Sequence, residues 1–220
     1  MKYKLTNVTK ECYGIKLFQI EALISFGDVS KGDKGGWIEK ESNLDQYGDA
    51  WVSGNAQVSG DAWVSGNAQV SGNAWVSGNA WVSGNAQVSG NAQVSGNAQV
   101  SGDAWVSGNA QVSGDAWVSG NAQVSGDAQV SGNAQVSGDA QVSGNAWVFG
   151  NARVYGKLRL SLGYFFGLRY QKEEIKYVKL DDNYEIVCKG DIKLVEEPSM
   201  VGKIVEVKFD DKSYRAKIIE

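Results

Sequence analysis

Histidine is absent from all 220 residues. The side chain that most often acts as a general base near neutral pH, and that most often holds zinc, is therefore available nowhere in the chain. The two cysteines, Cys12 and Cys188, lie near opposite ends with no metal-ligand spacing and no disulfide framework, so they read as ordinary thiols of a reducing cytosol. No run reaches the about 18 apolar residues of a membrane-spanning helix, no basic-then-apolar leader opens the chain, and neither terminus carries a lipidation motif. No membrane attachment is expected. Basic residues are nearly missing from the middle of the chain, where Arg153 is the one cation between Gly48 and Tyr155, against six Asp. The flanks are close to balanced, so this central stretch supplies the net charge of −4. Phosphate binding needs clustered Lys and Arg, and no nucleic-acid partner is expected. Threonine is also absent from that stretch, which removes the flat Thr arrays of ice-binding solenoids, and six Asp are too thinly spread to mimic the phosphates of DNA.

What is present is one six-residue unit, Gly-(Asn/Asp)-Ala-(Trp/Gln)-Val-Ser, repeated eighteen times from Gly48 to Tyr155 without insertion or deletion. A strict period gives every unit the same backbone path, so the units must stack as a solenoid in which each covers its neighbour's apolar edge. Strand alternation places Ala and Val on one side and the variable residue and Ser on the other. Ala and Val must face inward. Gly-Asn supplies the corner, since glycine accepts positive φ and Asn is the other residue that tolerates the left-handed region. Asp replaces Asn at 49, 61, 103, 115, 127 and 139, always in this slot, which marks the corner as facing water.

The register Val-Ser-Gly-Asn-Ala-Xaa over residues 48–155 resembles the hexapeptide repeat of left-handed parallel β-helices. That resemblance implies an all-β triangular prism with three hexads per coil, hence about six coils and a rod roughly 30 Å long at a strand spacing near 4.8 Å. The period alone also allows a flatter two-sided roll with twelve residues per turn. Enzymes of the implied fold, acyltransferases and a class of carbonic anhydrase, use His as base or zinc ligand, and no position here can take that role. Asp in water-facing corners stays ionised rather than becoming an acid catalyst, so no catalytic, cofactor or metal site is expected.

The chain divides into an N-terminal β-hairpin and capping segment at 1–47, the β-helix at 48–161 and a small C-terminal β domain at 162–220. A hairpin is expected from Tyr3–Thr6 and Ile15–Leu23 with a turn around Lys10–Gly14. The glycine-rich stretch from Phe26 to Glu39 lacks the Gly-Lys-Ser/Thr of a phosphate loop and reads as an irregular first coil or lid. Leu44 falls in the Ala slot before the first regular unit and Gln46 in the Val slot, while Leu158 and Leu160 close a nineteenth, degenerate hexad. Beyond it a meander is expected: Tyr164–Tyr170, Ile175–Leu180, Tyr184–Cys188, Ile192–Val195, Lys203–Phe209 and Ser213–Ile219. Asp181-Asp182 and Asp210-Asp211 fall at its turns.

The opening also carries Tyr3-Lys-Leu-Thr, Leu17-Phe-Gln-Ile-Glu-Ala-Leu, Gly32-Asp-Lys-Gly-Gly-Trp-Ile-Glu and Asn43-Leu, leading into Gly-Asn/Asp-Ala-Trp-Val units. This arrangement resembles a family of hexapeptide-repeat proteins common in phages and prophages. The resemblance implies a viral setting in the cytoplasm of a bacterial host and no particular chemistry.

The variable slot is where function can differ from scaffold. Taking every third hexad as one face groups Trp63, Trp81 and Trp117 with Gln99, Gln135 and Arg153; Trp51 and Trp105 fall on a second face, Trp75 and Trp147 on a third. Exposed aromatics carry much of the energy of protein interfaces. Trp63, Trp81, Trp117 and Arg153 are therefore the candidate interaction face, for a host protein or for another copy of the chain. The rings could instead be ladders that stiffen the wall, or platforms for a sugar. Gln and Asn stacked on their own copies are expected to hydrogen-bond along the rod. The resulting expectation is a non-enzymatic rod that binds a host protein to blunt a bacterial defence system, with a structural or assembly part of the virion as the alternative.

Overall fold

The structure is a computed structural model that describes residues 1–170, 173–181, 184–189, 204–209 and 212–217, with side chains to residue 165. Each repeat unit contributes a two-residue strand formed by the variable residue and Val, and each such strand pairs in parallel with the one eighteen residues later, as Gln57–Val58 does with Trp75–Val76. Eighteen residues per turn make three sides, and the two-sided roll is ruled out. One side carries Gln57, Trp75, Gln93, Gln111, Gln129 and Trp147; the second Trp63, Trp81, Gln99, Trp117, Gln135 and Arg153; the third Trp51, Gln69, Gln87, Trp105, Gln123, Gln141 and Arg159. The protein is an all-β parallel β-solenoid.

The prism interior is the core. Every repeat Ala and Val from Ala50 to Val148 is sealed from solvent, as the inward side of the alternation requires. A valine buried in each unit removes its apolar surface from water at a gain of about 25 cal/mol per Å².

The corners differ from the expected chemistry in one respect. Glycine is left-handed there, with φ of +68° at Gly72, but among the described residues Tyr13 is the one non-glycine with positive φ. Asn is not used for backbone tolerance. Its side chain forms a ladder: Asn55, Asn73 and Asn91 each donate Nδ2 to the Oδ1 eighteen residues on, at 3.0–3.2 Å, and Asn109 ends the run on Asp127 at 2.8 Å. The glycines stack too, because a Cβ built on Gly72 would lie 2.9 Å from the backbone N and O of Gly90. Glutamines, by contrast, make no Gln–Gln hydrogen bonds among the described residues; Gln69 instead reaches back to the Asp49 carbonyl at 2.9 Å.

Ladder polarity explains where Asp sits. All the Asn–Asn and Asn–Asp bonds donate toward the C-terminal end, and a carboxylate can only accept, so a ladder stops at Asp103, Asp115, Asp127 and Asp139. Asp103→Asn supplies the missing donor and joins the Asn67–Asn85 ladder to Asn121. The expected result is a gain of about 0.5 kcal/mol, the low end of a net hydrogen bond, because the charge-assisted bond from Asn85 is lost in exchange. A urea midpoint that rises at unchanged slope would show it; a fall would mean that the ladder bonds contribute nothing at this solvated corner.

The N-terminal cap is built from β1 (Tyr3–Cys12), β2 (Ile15–Ala22) and β3 (Lys34–Ile38), with β2 in the middle and antiparallel to both of its neighbours. The hairpin turn is just Tyr13-Gly14, with φ of +49° and +78°, so β1 runs several residues further than the sequence suggested. β3 then joins the solenoid in parallel, Trp37 beside Gln57 and Ile38 beside Val58. Leu44 bridges Val64, so it occupies the Val rank rather than the Ala rank. Both offsets are twenty residues, two more than a regular coil, and Trp51–Val52 already pairs at eighteen with Gln69–Val70. The extra two residues therefore lie between Leu44 and Trp51. With this irregular first coil, and with Arg159–Leu160 paired to Gln141–Val142, the stack runs to about seven turns.

At the other end Tyr164–Tyr170 adds in parallel to Trp147–Gly150, followed by antiparallel Glu173–Asp181 and Tyr184–Lys189. Ile204–Phe209 and Lys212–Lys217 form a separate hairpin. The expected strand Ile192–Val195 and the turn residues Asp182, Asp210 and Asp211 lie outside the described residues. One sheet of twelve strands thus runs from β1 through the first side of the prism to Tyr184–Lys189.

Candidate interaction surface

Trp63, Trp81, Trp117 and Arg153 fall on a single side of the prism, in a column with Gln99 and Gln135 between them. Trp63 and Trp81 occupy adjacent coils with ring centroids 5.3 Å apart and planes 20° from parallel, an offset stack. The three rings remain 40%, 41% and 47% exposed in that order, and Arg153 is exposed. Among the described residues Arg153 makes no ion pair.

The repeat serine has a role that the sequence pattern did not suggest. Trp81 donates its indole N–H to Ser65 Oγ and Trp117 to Ser101 Oγ, both at 3.3 Å, and Trp75, Trp105 and Trp147 make the same bond to Ser59, Ser89 and Ser131. The partner always lies sixteen residues earlier, so each ring leans back over the preceding coil. Position 47, sixteen before Trp63, is a tyrosine and breaks the pattern. A spacing of sixteen between Trp and Ser is the signal in the sequence, legible only once the turn is known to be eighteen.

The tryptophans of the other sides are not equivalent to these. Trp51 occupies an outward slot but is 4% exposed, because the cap folds over it: Phe26 and Tyr3 meet its ring edge-on at 5.4 and 6.4 Å. Trp75 is covered by Tyr13 from the hairpin turn, stacked at 5.2 Å and 5°. Trp147 contacts Phe149 and Tyr164 near the C-terminal end. Trp105 stands alone on the third side at 47% exposure.

The N-terminal end is closed chemically as well as sterically. In the regular coils, the backbone bonds between one coil and the next run from an N–H to a carbonyl seventeen residues later, so this end of the stack offers the carbonyls of Gly, Ala and Val. Donors meet them. Buried Lys2 gives its ammonium to the carbonyls of Ala50, Gly48 and Tyr47 at 2.8, 3.2 and 3.3 Å, and Asn43 Nδ2 reaches those of Ala62 and Gly60 at 2.8 and 3.0 Å. Trp37, Glu39 and Asp45 contribute backbone N–H groups to Ala56, Val58 and Val64. Burial lowers the Lys2 pKa, with Asp45 and Asp49 opposing it. Gln46, expected in a core slot, instead accepts from the backbone N–H of Lys2 at 2.7 Å.

Tyr3 pins the same end, donating its hydroxyl to the carbonyls of Glu41 and Leu44 at 2.7 Å. Burial, with Glu41 and Asp45 nearby, raises its pKa well above the ordinary tyrosine value. A raised folded-state pKa means that the stabilisation is complete below about pH 10, the unfolded value, and drains away as pH climbs toward the folded one. Ultraviolet titration of tyrosinate is expected to show one late group that Tyr3→Phe removes, with the cap loosening as it ionises. If Tyr3 ionises with the exposed tyrosines, the buried hydroxyl is not held as described.

No group of three or more His, Cys, Asp or Glu side chains that could hold a metal occurs among the described residues. What fold and surface define is a rod with a sealed end and an aromatic side, a scaffold of the β-solenoid class. Residues 31–162 match the bactofilin family, described as polymer-forming cytoskeletal proteins. That stretch is more than half of the chain and takes in the irregular first coil and the whole repeat, and the chain belongs to this family. No curated protein matches it.

Proposed function

We propose that the protein is a non-enzymatic structural rod that acts by assembling with copies of itself into a cytoskeleton-like polymer. The observation that carries this reading is the uninterrupted solenoid, matched over residues 31–162 by a polymer-forming family. Its physical support is the inertness of the wall. The Asp residues sit at the corners, five of the repeat serines are engaged by indole N–H groups, and the interior is sealed Ala and Val. Negative-stain microscopy and sedimentation of the purified full-length chain test it. Filaments or large assemblies that pellet at micromolar concentration are expected; a monomer across all concentrations and salt conditions would overturn the reading.

A second reading keeps the inert rod and gives the aromatic side to a different partner, a host protein of an infected bacterial cytoplasm that serves in defence. The exposed rings of Trp63, Trp81 and Trp117 favour it, together with the likeness of the opening segment to phage hexapeptide-repeat proteins. Capture of one stoichiometric host protein from infected cells, lost when the three rings become Gln, would favour this reading over self-assembly.

A further inference from the structure

The order of side chains up the second side is Trp63, Trp81, Gln99, Trp117, Gln135, Arg153, one per coil. Turned end for end, the column is the complement of itself: Trp63 meets Arg153, Trp81 meets Gln135 and Gln99 meets Trp117, so a large ring faces a slimmer side chain at every rank. The other two sides fail this test, since Gln93 would meet Gln111 on the first, and on the seven-rank third side Gln69 would meet Gln141, Gln87 would meet Gln123 and Trp105 would meet its own copy. The first side is further obstructed by Tyr13 over Trp75.

We propose that two rods pair side by side and antiparallel through this column, as the lateral contact of the polymer inferred above, on which the proposal rests. Its occupant is a second copy of the chain. Rings of one copy fill the gaps above the glutamines of the other, and each Arg153 lies over a Trp63 face as a cation–π contact, a position in which it has no competing ion pair among the described residues. The indole–serine bonds hold Trp81 and Trp117 in place before contact, which lowers the ordering cost of binding.

Size limits the strength of one such contact. A side about 15 Å wide and six ranks of about 4.8 Å tall covers roughly 430 Å² per copy. The total of roughly 900 Å² is below the range of a stable standalone dimer. Isolated pairs are weak, and the contact becomes effective where a polymer repeats it many times over.

Single cysteines read the register directly in the full-length chain with Cys12→Ser and Cys188→Ser. In the antiparallel pair, Gln99 and its symmetry mate lie one rank apart, about 4.8 Å along the axis, whereas Gln135 and its mate lie three ranks apart, roughly 14 Å. Gln99→Cys should cross-link between copies with a short bis-maleimide, Gln135→Cys at least tenfold less, and Gln93→Cys on the first side not at all. Replacing Trp63, Trp81 and Trp117 by Gln together should abolish the Gln99→Cys cross-link while circular dichroism stays unchanged. Equal cross-linking at 99 and 135 would mean parallel pairing and sink the proposal. Single unpaired filaments with no cross-link at 99 would overturn lateral pairing and leave the polymer standing. Cross-linking at 99 without filaments would overturn the polymer reading and leave the paired rods.

Discussion

Deleting Gly84–Ser101 will give a folded rod one coil shorter. The cut removes three whole units, rejoins Ser83 to Gly102 in the native Ser-Gly sequence, and returns the chain to the same side of the prism. The corner chemistry survives because Asn67, Asn73 and Asn79 come to lie under Asp103, Asn109 and Asp115, each an acceptor for the donor below. Displaced indole bonds also find substitutes, with Ser71 and Ser83 taking the places of Ser89 and Ser101 under Trp105 and Trp117. Deleting Gly84–Ser95 also keeps the hexad phase but leaves the end strands on different sides, dividing the twelve-strand sheet. Spin labels at Cys12 and Leu162→Cys, with Cys188→Ser, report the difference: the eighteen-residue deletion shortens their separation by about one strand spacing, 4.8 Å, and the twelve-residue deletion rotates one label around the axis. Unfolding of the eighteen-residue variant with survival of the twelve-residue one would contradict a three-sided coil.

Val106→Asp is expected to be the most damaging single change in the rod. Val106 is fully buried between Val88 and Val124 on the third side, and the dry prism offers a carboxylate neither a cation nor water. An unpaired charge there costs at least about 4 kcal/mol, beyond the usual range of point substitutions. Because each coil contacts just its neighbours, the defect uncouples the stack into two shorter ones instead of weakening it evenly. Limited proteolysis should cut between Val88 and Val124 in the variant and spare the wild type. Gln111→Lys, exposed on the wall, is the control and should shift stability by about 0.5 kcal/mol or less. A variant at 106 as stable as that control would mean that the interior is not the dry Ala–Val core described.

These two expectations differ in how much of their basis is legible in the sequence. The inward Ala and Val follow from alternation alone, because a one-residue slip would turn every apolar side chain to water. The strict period gives all units one backbone path, and that alone makes the removal of whole coils tolerable. The grouping of Trp63, Trp81, Trp117 and Arg153 follows from the same arithmetic once three units per turn are assumed. That assumption comes from a family likeness, since a period of six is equally consistent with twelve or eighteen residues per turn.

Tertiary structure decided whatever depends on contacts between coils and at the ends. Trp51 and Trp63 occupy equivalent positions in the repeat, yet Trp51 is buried because Phe26 and Tyr3 close over it, and no local pattern encodes that closure. The two extra residues between Leu44 and Trp51 put Leu44 beside Val64, an offset invisible without the partner strand. The pairing of indole N–H with serine across sixteen residues, and the use of Asn for its amide rather than its backbone, likewise appear only when one coil is laid over the next. Within a unit, sequence determined which side chains face in and which face out, because that is set by alternation along one strand; which outward groups are covered, paired or left exposed was set by neighbours eighteen residues or more away.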